Sequence, residues 1–169
     1  VSEPAPSPPI DPDIINRLAQ AERAALARRF GEALGICGDV LASFPGLAVA
    51  HATRGAILAH SGALTEAAAA LETAVRLDPG QPGWHGNLAG VNRLLCRLDD
   101  AVAGAREAVR LAPHEARTWL NLGKILDDLD ERDEAIDCFI KTLQREPENA
   151  EGHLGIGQML LAEGNYRAG

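Results

Sequence analysis

Small and apolar residues return along this chain at a fixed step of 34 positions. Ala33, Ala67, Ala101 and Ala135 keep that step, and so do Cys37, Leu71, Ala105 and Phe139. Val40, Ala74, Ala108 and Thr142 keep it as well, one helical turn further on. Upstream, Gly55, Ala89, Gly123 and Gly157 form a column of small residues, and His51, His85, Trp119 and His153 form a column of flat rings. Pro45, Pro79, Pro113 and Pro147 punctuate the pattern at the same interval. Each column has a physical reading. Small residues on one helix let a second helix approach closely, and a larger side chain there would force the pair apart. Proline cannot continue a helix, so it fixes the stop before the next unit. Each helix pair then leaves an apolar face that only the next unit can cover.

The pattern predicts an all-α chain of helix pairs, with helices near 13–28, 31–43, 48–60, 64–77, 82–95, 98–111, 116–129, 132–145 and 150–163. Asp11 is placed to cap the first of them, and Pro12 suits a first helical position. The repeats run 14–47, 48–81, 82–115 and 116–149, with a partial one at 150–169. Residues 1–12 read as a flexible Pro-rich segment. No Val/Ile/Thr-rich alternation suggests a strand.

The repeat at Trp119, Leu122, Gly123, Leu126, Ala135, Phe139 and Pro147 resembles the tetratricopeptide signature W-x2-L-G-x2-Y, A-x3-F, P. The resemblance covers nearly the whole chain after residue 13. It implies a right-handed superhelical solenoid of antiparallel helix pairs. The first repeat departs most from the pattern, with Arg17, Gln20 and Ala21 where an aromatic residue, Leu and Gly are expected.

Charge and cysteine content narrow the classes of function. A formal net charge of −8 argues against nucleic-acid and anionic-membrane partners, because phosphate contacts need clustered Lys and Arg. No apolar run approaches the roughly 20 residues of a membrane span. The start, VSEPAPSPPIDPD, lacks the basic and apolar regions of a secretory signal. Cys37, Cys96 and Cys138 are odd in number without CxxC spacing, which fits reduced thiols in the cytoplasm.

Two clusters resemble chemical sites. Asp127, Asp128, Asp130, Glu131, Asp133 and Glu134 crowd one stretch, but an EF-hand needs carboxylates at alternate positions followed by Gly, and here Arg132 and Asp133 occupy those slots. In the repeat phase this stretch is the solvated turn inside a helix pair, with Asp130 where Gly62 and Gly164 stand. Asp133 and Glu134 would then open the second helix, where negative charge complements its dipole. The periodic histidines fall in successive layers, one per repeat, where the pattern packs an aromatic ring. Metal ligands must instead converge within about 2 Å of one point. No G-x-S-x-G, phosphate loop or H-E-x-x-H motif occurs. No catalytic residue, metal or cofactor is predicted.

The resemblance also implies a concave groove lined by the first helix of each repeat. Its slots include Ile15, Leu18, Glu22 and Leu26, then Val49, Ala52, Ala56 and His60, and finally Glu151, Leu154 and Gln158. The central slots stand out. Asn87 and Asn121 hold one slot in adjacent repeats, resembling the asparagine ladder of O-linked N-acetylglucosamine transferase, which grips a peptide backbone. A carboxamide both donates and accepts; alternatively, both residues merely face solvent. Gly83, Gly86 and Gly90 would bare the backbone of the third repeat's first helix to a ligand. Arg93, Arg117 and Lys124 lie close by, either as a positive cluster or paired to Asp127 and Asp128. Asn87 and Arg117 match two slots of the carboxylate clamp of cochaperones, but Ala52 and Ala56 stand where that clamp has Lys and Asn.

The expected function is a non-catalytic interaction scaffold that binds an extended protein or peptide segment in the groove. The alternative is the recruiting arm of a larger bacterial enzyme such as a glycosyltransferase, suggested by the ending EGNYRAG and the asparagine pair. Self-association through Leu154, Ile156, Met159 and Leu160 at the uncapped C-terminal end is also expected.

Overall fold

A computed structural model of the chain describes residues 11–167, with side chains through residue 161. The Pro-rich segment lies outside the described residues except for its last two positions. The described residues form nine helices: α1 (Pro12–Leu26), α2 (Phe30–Ser43), α3 (Ala48–Ser61), α4 (Leu64–Leu77), α5 (Pro82–Leu94), α6 (Leu98–Leu111), α7 (Ala116–Asp128), α8 (Arg132–Arg145) and α9 (Ala150–Arg167). Asp11 caps α1 through a 2.9 Å bond from the Asp13 N–H to its carboxylate, and Pro12 stands at the first position.

Two punctuation marks recur with the period. The residues before the periodic prolines are Phe44, Asp78, Ala112 and Glu146, and each closes a second helix with an extended backbone (φ −135°, −143°, −134° and −130°). The proline ring disfavours helical geometry in the residue before it, which is why the helix stops there. Inside each pair, Arg28, Gly62, Cys96 and Asp130 take left-handed conformations (φ 58°, 88°, 56° and 60°). Each bend is closed by a bond from the next residue's N–H to a carbonyl five positions back, at Ala24, Leu58, Asn92 and Leu126, over 2.9–3.0 Å. Only Gly62 adopts this backbone without steric cost. The other three costs are offset by the helix pairs that the bends allow to close. Gly164, by contrast, lies inside α9, which continues to Arg167 instead of turning. Among the described residues no second helix follows for such a turn to dock.

The helices of each pair fit because small residues face large ones reciprocally. An added Cβ at Gly55 would lie 2.6 Å from Leu71 Cγ, and one at Gly123 would lie 2.9 Å from Phe139 Cε1. Where the first helix carries Ala instead, at Ala21 and Ala89, its counterpart shrinks to Cys37 and Ala105; all four are fully buried. Ala33, Ala67, Ala101 and Ala135 are fully buried too.

The ring column serves a purpose beyond packing. His51, His85 and His153 direct Nε2 at the carbonyls of Pro45, Pro79 and Pro147 over 2.9, 2.9 and 2.7 Å, and Trp119 Nε1 donates to Pro113 over 2.9 Å. A carbonyl only accepts, so each Nε2 carries the proton. The column therefore selects a flat side chain with an N–H at its tip, which ties the first helix to the preceding proline turn. In the first repeat Arg17 forms an ion pair with Asp39 instead.

Successive first helices, α1, α3, α5, α7 and α9, contact one another, whereas no two second helices do. The first helices thus form the inner row of a superhelical solenoid and the second helices splay outward. No described helix is long and apolar enough to cross a membrane. The three cysteines are unpaired. Burial pushes the Cys37 and Cys138 thiols up to about 11, while Cys96 is exposed in its turn. The thiolate is the reactive form. Iodoacetamide at pH 8 is therefore expected to label Cys96 alone in the native state and all three after denaturation, as read by mass spectrometry. Native labelling of Cys37 would contradict this packing.

Candidate functional site

On the inner row, α7 reaches back over α5. Arg117 Nη2 donates to Asn87 Oδ1 over 2.8 Å. One turn on, the Asn121 carboxamide lies over Gly86, where an added Cβ would come within 3.4 Å of Asn121 Nδ2. A methyl at Gly86 would sit in ordinary van der Waals contact with the amide. Gly90 opens onto empty space, with nothing within 4 Å of an added Cβ. Here lies a cavity of about 360 Å³, floored by Gly86 and Gly90 and lined by Asn87, Arg93, Arg117 and Asn121 together with Leu71, Val91 and Leu94.

Six of the eight residues singled out from sequence therefore meet at one cavity. Gly83 and Lys124 do not line it. The expected positive cluster is largely neutralised: Arg93 Nη1 bonds Asp128 Oδ2 over 2.9 Å, and Lys124 Nζ bonds Glu151 Oε1 over 2.7 Å. Both are half-exposed pairs that link neighbouring repeats, and such pairs contribute at most about 1 kcal/mol each. Arg117 has no carboxylate partner among the described residues. It keeps its charge and several N–H donors for the cavity. The two asparagines are also unequal, since Arg117 occupies the Asn87 oxygen. Asn121 has no such partner among the described residues.

A second cavity, about 430 Å³, lies between α1 and α3. Ala25, Leu26, Phe30 and Ile57 give it an apolar wall, and Arg28 stands with its guanidinium 5.8 Å from the Phe30 ring centroid. Ala56 and His60 line both cavities. The sequence reading placed Glu22, Leu26, Ala56 and His60 in the groove but missed Ala25, Arg28, Phe30 and Ile57. Arg28 and Phe30 belong to the turn and start of α2, outside the first-helix slots. The one available signal was the phase of Arg28, which matches Gly62 and Asp130.

The acidic stretch is a solvated turn. Asp130 pairs with Arg132 over 2.8 Å, and Glu134 with Arg106 of the preceding repeat over 2.9 Å. Among the described residues no three His, Cys, Asp or Glu side chains converge to hold a metal ion.

The tetratricopeptide repeat profile matches residues 18–82 and 120–168. The chain belongs to the tetratricopeptide repeat family. Several solved structures share its fold. MamA (residues 41 to the end) from Desulfovibrio magneticus RS-1 superposes with a TM-score of 0.81 at 18% identity, covering 95% of this chain and 90% of that one. YrrB, described as a TPR protein with an unusual peptide-binding site, gives 0.73 at 20% identity, over 90% of this chain and 78% of that one. The first TPR domain of Spaghetti (RPAP3), bound to the HSP90 peptide SRMEEVD, gives 0.67 at 21% identity, over 69% and 93%. A comparison with curated proteins gives no match.

Proposed function

We propose that this array is a non-catalytic scaffold that binds an extended peptide segment along its inner row, with an acidic group of the peptide meeting Arg117 and Asn121. The observation that carries the reading is the cavity over Gly86 and Gly90. It is open, lined by hydrogen-bonding side chains beside Leu71, Val91 and Leu94, and holds a guanidinium without a carboxylate partner among the described residues. An extended peptide leaves its own backbone groups unpaired, and a carboxamide can satisfy one donor and one acceptor. YrrB and the Spaghetti domain, described as peptide-binding or peptide-bound, support the same use of the fold. The Ala52 and Ala56 slots direct the specificity away from chaperone tails held by a carboxylate clamp. Three unpaired thiols support action in a reducing compartment such as the cytoplasm.

The test begins with selection of binders from a random displayed peptide library. Asn87→Ala combined with Asn121→Ala is expected to weaken the selected binders about tenfold or more, since each lost buried hydrogen bond costs about 1–3 kcal/mol. Gly90→Leu, which projects into open space, should abolish binding while leaving helicity intact. Arg117→Ala should flatten the salt dependence. Selected peptides that bind both the double Asn variant and Gly90→Leu at wild-type affinity would refute the site.

The α9 face supports a second partner reading. Ala24, Leu58, Asn92 and Leu126 are all buried, yet Leu160 in the same register is 57% exposed, and Leu154 is 59% exposed. The expectation that Ile156 and Met159 would also lie open is corrected by the structure: Met159 is buried and Ile156 packs on the α7–α8 core. Sedimentation of this chain is expected to show concentration-dependent association that Leu160→Ser removes. A monomer at all concentrations would count against it.

A further inference from the structure

Resting on the reading of the inner row as a peptide groove, we infer that the ligand is bipartite: a large apolar side chain fills the cavity between α1 and α3, and an acidic residue sits at Arg117 and Asn121 about five to six residues away. Three observations support this. Both linings are mixed, but the cavity over Gly86 and Gly90 presents the Arg117 guanidinium, and the cavity between α1 and α3 presents Leu26, Phe30 and Ile57. Its wall includes Leu26, which is 83% exposed, and the Phe30 ring with Arg28 against it. An apolar side chain docking there would remove from water surface that the solenoid otherwise leaves bare. The two cavities also adjoin, since Ala56 and His60 line both. One extended chain that passes over Ala56 and His60 can therefore reach both.

The third observation is the state of His60. Its Nδ1 lies 2.7 Å from the Ala56 carbonyl. A carbonyl only accepts, so Nδ1 carries the proton and Nε2 of the neutral ring keeps its lone pair. An acceptor thus stands where the two cavities adjoin, and the N–H of an extended peptide passing from one to the other can donate to it.

The spacing follows from helix packing. Neighbouring inner helices lie about 8–10 Å apart, and the path from between α1 and α3 to the α5–α7 contact spans two such steps, roughly 16–20 Å. An extended chain covers about 3.3 Å per residue, hence about five to six residues. The occupant is a segment of a partner protein with that pattern.

A random dodecapeptide display library on the wild-type chain gives the first readout: enrichment of Phe, Leu, Ile or Trp at about five to six positions from Asp or Glu. The second is fluorescence anisotropy with the best selected peptide and with the same peptide carrying Ser for its apolar residue. Leu26→Asp should weaken the first peptide about tenfold, the equivalent of about 1.4 kcal/mol, and leave the second unchanged. Ala56→Leu, at the junction, should weaken the first as well. If Leu26→Asp and Ala56→Leu bind the selected peptide like wild type while Asn121→Ala does not, the apolar subsite is refuted and the groove reading stands. If all three bind like wild type, both readings fall. Enrichment of acidic peptides with no apolar partner at any fixed spacing would also overturn the bipartite ligand.

Discussion

Replacing Phe139 with alanine is expected to destabilise the fourth repeat by about 3–5 kcal/mol, the range for deleting a buried aromatic ring. Phe139 is 2% exposed and is the largest fully buried side chain. It fills space between three helices. From α8 its ring presses on α7 at Gly123 and on α9 at Gly155, where an added Cβ would lie 2.9 Å from Cε1 and 2.6 Å from Cε2. One ring thus joins the two helices of its own repeat and docks the helix of the next. Because repeats contact only their neighbours, the loss should be local. Hydrogen exchange is expected to accelerate in α7, α8 and α9 and to stay near wild type in α1 to α4. The reciprocity supplies a sharper check. Gly155→Ala should be strongly destabilising in the wild type, where the new methyl meets the ring, and nearly neutral in a Phe139→Ala background, where the ring is gone. Contacting residues of this kind couple by about 0.5–3 kcal/mol. Purely additive penalties, or a wild-type urea midpoint for Phe139→Ala, would mean that the ring does not sit between the two glycines.

This fit was partly legible from sequence. Gly123 and Phe139 belong to periodic columns, and close packing requires that a large residue in one column face a small one in the other. Gly155 was not legible. It stands in the asparagine column, and only the docking of α9 against α8 shows why glycine is required there. From sequence the histidine column reads as aromatic packing, and the structure adds a donor contact to the preceding proline turn. The column's composition held that signal, since His and Trp share an N–H and Phe does not. At the candidate site the slots of Gly86, Asn87, Gly90, Arg93, Arg117 and Asn121 were legible because phase alone places them on the inner row. Their pairing was not. Whether Arg117 meets Asn87 or a carboxylate depends on side-chain reach across two helices, which no periodicity encodes. The apolar cavity was hidden because Arg28 and Phe30 come from the turn and second helix of the repeat that follows the family pattern least.

Replacing Asn92 with leucine is expected to stabilise the third repeat by about 1–3 kcal/mol, an unusual direction for a core substitution. Asn92 is 5% exposed, and its Oδ1 is buried without a hydrogen-bond partner among the described residues. Its counterparts in the neighbouring repeats, Leu58 and Leu126, are buried leucines. The site is therefore shaped for an apolar side chain, and the asparagine bears the desolvation cost of an unpaired oxygen, about 1–3 kcal/mol. Leucine removes that cost and adds apolar burial. The gain should appear as slower hydrogen exchange in α5 and α6 and a higher urea midpoint for that segment. An unchanged or lower midpoint would mean that Asn92 has a partner or that leucine overfills the site. The position of this weak point bears on function. Asn92 shares α5 with Gly83, Gly86 and Gly90, each costing roughly 1 kcal/mol of helix stability relative to alanine. The helix that floors this cavity is thus only weakly held by its own sequence. Ligand-contacting elements are drawn from the low-stability end of a structure. Asn92→Leu is accordingly expected to firm α5 without touching the cavity, so that any loss of peptide affinity in this variant would report a need for α5 to adjust on binding, and unchanged affinity would show that the cavity is preformed.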